Sequence, residues 1–315
     1  MKLFIDRLLE MIKKKNSRVC VGLDPHLHLL PPQLVKQAME IGDFEEMALG
    51  MAVSRFNRKI IDSVADVAVA VKPQIAFYEQ IGSYGIIALA ETVEYAREKG
   101  LLVILDAKRN DIGSTAAAYA SAYLDEVHLD SVDTGLKSIN PLVVDAMTIN
   151  PYLGFDGVDP FLENRSRGAF ALVRTSNKSA GQIQDLKLEN GKLLYRQVGE
   201  LVSDWGDDYL GEGGYSNLGA VVGATYPGEL ALLRKDLPST FFLIPGYGAQ
   251  GGSAGDIVAG FDDRGLGAVV NSSRGIIFAY CREPWSGKYG EEQFAEAARS
   301  AAVKMKDEIN KVLSA

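Results

Sequence analysis

Cysteine and histidine are scarce, with two of the first and three of the second in 315 residues. Cys20 and Cys281 lie in apolar or mixed runs, and neither forms a CxxC pair. The chain therefore offers no disulfide framework and no cysteine zinc site, which fits a reducing cytoplasm. His26 and His28, two residues apart, and the distant His128 make no metal set and read as ordinary loop histidines. HExxH and GxSxG are both missing. No apolar stretch approaches the ~20 charge-free residues of a membrane span. Asp6, Arg7 and Glu10 interrupt any signal-peptide core in MKLFIDRLLEMIKKK. Basic residues are outnumbered, 33 Lys+Arg against 41 Asp+Glu, for a net charge of −8. That balance argues against a nucleic-acid partner. It leaves room for an anionic small ligand, because a few convergent cations outweigh a distant field.

What is present is ordinary globular composition, 47% hydrophobic and 23% charged. A chain of this length buries about three quarters of its unfolded surface without disulfides or metals. No repeat or low-complexity linker divides it, so residues 1–315 read as one domain. The N-terminus reads as an amphipathic helix with Leu3, Phe4, Leu8 and Ile12 on one face and a solvated end at Lys13–Lys15. Eight short apolar runs follow: Arg18–Leu23, Val67–Val71, Leu102–Leu105, Ala146–Ile149, Ala169–Val173, Leu218–Val222, Phe241–Ile244 and Ala268–Val270. Helical periods separate them, among them Glu45–Val64, Tyr84–Lys99, Pro227–Lys235 and Glu291–Val312. Continuous apolar strands are buried on both faces, which indicates a parallel sheet covered by helices. Eight alternations fit a closed (β/α)8 (TIM) barrel, with a doubly wound sheet as the rival. Asp125–Asp145 and Gly181–Asn217 read as insertions, the second carrying a hairpin around Asn190-Gly191.

In a barrel the chemistry lies just after the strand C-termini. Polar or charged residues stand there after seven of the eight runs, and the sixth ends in Gly-Ala-Thr225. The densest segment is LDAKRNDIGST, residues 105–115. Asp106 and Lys108, two apart on an extended strand end, would project the same way, and Asp111 follows. Thr115 would then begin a helix of small residues. Carboxylates on either side hold a lysine protonated, which suits proton donation and electrostatic clamping better than Schiff-base chemistry. Lys72 ends the run VAVAV one strand earlier and extends the alternation to Lys72–Asp106–Lys108–Asp111. PGYGAQGGSAGD (245–256) and NSSRGI (271–276) are a glycine-rich loop and an arginine-bearing loop after the last two strands. Barrels bind phosphate there, through exposed backbone N–H groups and a bidentate arginine such as Arg274. Asp24 in VGLDPH either caps a turn beside Pro25 or accepts hydrogen bonds from substrate hydroxyls.

LDAKRNDIGST resembles the signature of the orotidine 5′-monophosphate decarboxylase family, Asp-x-Lys-x-x-Asp followed by Ile-Gly-x-Thr. VGLD, VKPQ, VRTSN, IPGYGAQGG and NSSRG occur in the order of that family, and the length and insertions are similar to its longer-chain subgroup. Lys178 stands in TSNKSA where the family pattern has proline. The resemblance implies cofactor-independent decarboxylation of orotidine 5′-monophosphate to uridine 5′-monophosphate, in de novo pyrimidine synthesis, without a metal. It implies Lys108 as proton donor to C6, Asp106 against the departing carboxylate, and Lys72 and Asp111 completing the charged network. Asp24, Lys72, Asp111 and Thr115 would hold the ribose, with Ile112 beside them. Thr175 and Ser176 would meet the pyrimidine, and Pro245, Gln250, Ser273 and Arg274 the phosphate. A homodimer sharing Asp111 and Thr115 across its interface is also implied. The alternatives are a divalent-metal-dependent sugar-phosphate lyase or decarboxylase on the same scaffold, a catalytically silent nucleotide-binding barrel, and a Schiff-base aldolase using Lys72 or Lys108.

Overall fold

The structure, a computed structural model, describes residues 2–128, 138–139, 142–224, 227–248 and 252–314. Among them, eight parallel strands are hydrogen-bonded as a closed barrel: β1 (Val19–Leu23), β2 (Ala70–Pro73), β3 (Leu102–Arg109), β4 (Ala146–Ile149), β5 (Gly168–Arg174), β6 (Leu218–Val222), β7 (Phe242–Pro245) and β8 (Ala268–Ser272). They follow the ring order β1-β8-β7-β6-β5-β4-β3-β2. The longer helices are α1 (Phe4–Lys15), α2 (Pro32–Met39), α3 (Glu45–Val64), α4 (Ser83–Glu98), α5 (Gly113–Leu124), α6 (Leu194–Gly206), α7 (Pro227–Asp236) and α8 (Phe294–Leu313). The barrel, not the doubly wound rival, is the fold. Every residue of β1, β2, β4, β6 and β8 is buried, as two covered sheet faces require. Phe4, Ile5, Leu8, Leu9 and Ile12 bury one face of α1.

The chain forms two compact units. The first comprises Met1–Glu10, Ala107–Pro245 and Asp256–Val269. Its strands run in register from Ala146 beside Gly168 to Ile149 beside Ala171, and from Ala169 beside Leu218 onward, with an irregularity between Leu172 and Arg174. Phe4 packs edge-on against Phe170 at 6.1 Å, and Tyr215 against Phe241 at 5.5 Å. The segment 181–217, expected as a decoration, contains α6, which packs against β5 and β6 as an ordinary barrel helix. Its hairpin is present but short: Leu188 N–H donates to Lys192 O at 2.9 Å, and Gly191 takes φ +81°. In the segment 125–145, Val127–His128 and Ser138–Ile139 form a small antiparallel pair.

The second unit comprises Met11–Asp106, Gly246–Gly255 and Val270–Ala315. Here β1 lies between β8 and β2, with Val21 opposite both Ser272 and Val71. Phe56 on α3 stacks between Phe278 at 5.4 Å and Phe294 at 5.1 Å. Two expectations are corrected here. The second strand starts at Ala70, not Val67, because Val67 and Ala68 donate their N–H groups to Val64 O and close the preceding helix. Lys72 therefore sits inside β2. Lys15 is not a solvated helix end: its ammonium donates to Ala65 O and Ala68 O, both at 2.7 Å.

Candidate active site

In the second unit, Lys72 Nζ donates to Asp106 Oδ2 at 2.6 Å, and both residues are buried. The pair is made by neighbouring strands, since β2 and β3 run in register from Ala70 beside Leu102. Burial works to pull Lys72 down, but the Asp106 and Asp24 carboxylates outweigh it and hold the ammonium above the ordinary lysine value. Cys20, on β1, belongs to the same surroundings, and burial pushes its thiol up to about 12. Asp24 follows β1. Its Oδ1 is buried and has no hydrogen-bond partner among the described residues, an arrangement that is costly unless something else supplies a donor.

After β8, Ser273 and Arg274 are half-buried at the start of the one-turn helix Arg274–Ile277. Gly22 is required opposite them, because a Cβ there would fall 1.9 Å from Ser273 Oγ. Ser272 donates to Tyr247 O, and Gly248 takes φ +71° as its N–H donates to Gly252 O. These contacts tie the loop after β7 to the end of β8. Gln250 lies outside the described residues, as does Thr225.

His26 packs against Phe77 at 4.4 Å, and burial lowers its pKa. It is a histidine packed among aromatic rings, in keeping with a loop residue.

In the first unit, β3 ends at Arg109, four residues beyond the expected Leu105, and its backbone changes course at Lys108. The simple alternation of side chains stops there. Lys108 is exposed and has φ +49°, a left-handed backbone that costs a non-glycine residue roughly 1–2 kcal/mol. The N–H groups of Ala107 and Lys108 both donate to Thr148 Oγ1 at 3.0 Å. The reading of the sequence passed over Thr148, because a threonine inside an apolar run reads as sheet propensity alone.

Asp111 is half-buried and accepts from Ile112 N–H at 2.8 Å. The helix begins at Gly113, two residues before the expected Thr115; Ile112 and Thr115 are exposed. Thr175 donates to Asn177 Oδ1 at 2.6 Å, and Gln184 holds both its N–H and its hydroxyl. Arg174 beside it is buried and bidentate to Glu229 at 2.6 and 3.0 Å. Ser176 and Pro245 are half-buried, Lys178 exposed.

The structure thus brings Lys72 and Asp106 into direct contact and places Asp24 within their electrostatic reach. It leaves Thr175 in a separate hydrogen-bonded group with Asn177 and Gln184.

A closed parallel barrel with its charged groups at the strand ends belongs to the class of (β/α)8 enzymes, whose sites are built from the C-terminal ends of strands. Comparison with known proteins narrows this. The family model for orotidine 5′-phosphate decarboxylase / HUMPS matches residues 17–283, and the chain belongs to that family. It is 44% identical over 312 residues to orotidine 5′-phosphate decarboxylase of Rhodopirellula baltica, covering 98% of this chain and 99% of that one. It is 42% identical over 314 residues to the enzyme of the same name from Clostridium acetobutylicum, covering 99% and 100%. Among solved structures, Leishmania donovani OMP decarboxylase is similar with a TM-score of 0.72 at 29% identity, covering 99% of each chain.

Proposed function

We propose that this chain is a carboxy-lyase that converts orotidine 5′-monophosphate to uridine 5′-monophosphate in pyrimidine synthesis, working as one domain over residues 1–315. The observation that carries the proposal is the buried Lys72–Asp106 pair on β2 and β3, two residues before the exposed Lys108, in a chain of this family. In the reaction the bond from C6 to the carboxylate breaks, CO₂ leaves, and the electron pair stays on C6. Lys108 gives a proton to C6 and recovers one from solvent. Its ammonium attracts the carbanion more strongly than the neutral ground-state carbon, so it lowers the barrier instead of only tightening binding. Asp106, ionised by its contact with Lys72, repels the substrate carboxylate until CO₂ departs.

Asp24, whose buried Oδ1 has no donor among the described residues, accepts from a ribose hydroxyl; Lys72 donates to the ribose, and Asp111 and Thr115 also hold it. Ile112 lies against the ribose end. Thr175 and Ser176 meet the pyrimidine edge, and Pro245, Gln250, Ser273 and Arg274 hold the phosphate. Phosphate binding lies far from the bond that breaks and drives ordering of the loops around the base. Asp111 and Thr115 act in the site of a second copy, so the working form is a homodimer. Exposed Ile112, Tyr152 and Leu153 of the first unit supply apolar surface for such an interface. We place the enzyme in the cytoplasm; among the described residues no helix is long and apolar enough to cross a membrane.

The test is to incubate purified protein with orotidine 5′-monophosphate in excess EDTA and follow the fall in substrate absorbance together with CO₂ release. Rapid turnover supports the proposal. Turnover that disappears in EDTA and returns with Mg²⁺ supports the sugar-phosphate alternative. Tight binding of uridine 5′-monophosphate with no turnover in either condition leaves a silent nucleotide binder.

A further inference from the structure

Successive N–H groups along a regular strand point to opposite sides. Those of Ala107 and Lys108 instead converge on one oxygen, Thr148 Oγ1, at 3.0 Å each. This convergence requires the chain to leave the extended region, which it does at Lys108. Among the described residues only Asn16 and Lys108 are non-glycine residues with positive φ, so the conformation is specific to this position. Thr148 is only 1% exposed and sits opposite Phe170 of β5, so its side chain is fixed on β4 before it meets β3. One turn further, Asn150 N–H donates to Arg109 O at 3.0 Å. Thr148 of β4 therefore holds the backbone at Ala107 and Lys108, and Asn150, just past the end of β4, holds it at Arg109.

We propose that Thr148 is a positioning residue for Lys108, holding the left-handed backbone that sets where its ammonium is delivered. The inference rests on the decarboxylase reading for its kinetic part only. Thr148 does not touch the reacting atoms. Its hydroxyl accepts both N–H groups where β3 turns at Lys108. A proton donor displaced by even an ångström loses much of its effect in the transition state while substrate binding elsewhere is little changed.

The test compares Thr148→Val, which keeps the shape and removes the oxygen, with Thr148→Ser, which keeps the oxygen. Thr148→Val is expected to lower kcat by about tenfold or more with KM within about threefold, and Thr148→Ser to return kcat to within about threefold of the parent. A crystal structure of Thr148→Val is expected to show φ of Lys108 moved out of the positive region. Should Thr148→Val not fold, Thr148→Cys, with a weaker acceptor of similar size, is expected to fall below Thr148→Ser in kcat. Unchanged kcat in Thr148→Val or Thr148→Cys, equal losses in kcat and KM, or a Lys108 φ that stays positive overturns the proposal. If the parent itself releases no CO₂, the decarboxylase reading fails, and the φ of Lys108 in Thr148→Val alone decides the positioning role.

Discussion

Lys72 Nζ and Asp106 Oδ2 lie 2.6 Å apart on neighbouring strands, in a pair that is buried on both sides. Burial pulls the pKa of this lysine down, and the carboxylates of Asp106 and Asp24 outweigh that pull and hold it above the ordinary lysine value. Removing one member of a buried pair strands the other, so Asp106→Ala is expected to destabilise the fold by about 3–5 kcal/mol. In the parent, the raised Lys72 pKa contributes stability that is fully present below the ordinary lysine value of about 10.4 and is lost only as pH rises through the folded value. Without Asp106 the folded pKa falls, and the unfolded chain binds the extra proton. The deficit of Asp106→Ala should therefore narrow as pH rises from 7 toward about 10. Denaturant melts of both proteins across that range check the magnitude and the sign.

In the proposed reaction Lys108 delivers the proton to C6. Lys108→Ala is expected to reduce kcat by about 10³-fold or more, while uridine 5′-monophosphate binds within a few-fold of the parent. Stopped-assay CO₂ release and product titration separate the two quantities. Substantial residual turnover rejects the role given to Lys108.

Arg274 opens the short helix after β8 and carries the phosphate assignment. Arg274→Ala is expected to weaken phosphorylated ligands by about 10- to 100-fold, the range of a charge-assisted contact, and to leave orotidine and uridine almost unaffected. If the variant still prefers nucleotide over nucleoside as strongly as the parent, the phosphate is held elsewhere.

The two thiols differ sharply. Burial pushes Cys20 up to about 12, whereas Cys281 is exposed. A disulfide reagent at pH 8 is expected to label Cys281 quickly and Cys20 only on unfolding, because the thiolate is the reacting form. Peptide mapping after brief labelling identifies the modified residue. Fast labelling of Cys20 in the folded protein means that β1 opens far more often than its burial allows.

Much of the molecule was legible in order along the chain. Strands of a parallel barrel are buried on both faces, so they appear as uninterrupted apolar runs, and all eight were found within a few residues of their place. Errors fell at ends where an apolar run serves two elements, as at Val67 and Ala68, which close a helix before β2 begins. They also fell at α6, where the turn at Asn190-Gly191 drew the helix start at Leu194 into a hairpin pattern.

By itself the sequence determined the barrel, the charged residues at its strand ends and the family, because strand burial and motif spacing are local properties of the chain. The tertiary structure alone decided that Lys72 meets Asp106, that a buried oxygen of Asp24 has no donor among the described residues, and that Thr148 takes two N–H groups from the turn at Lys108. Each of these depends on register between elements 34 or more residues apart or on the burial they create, and no local pattern encodes either.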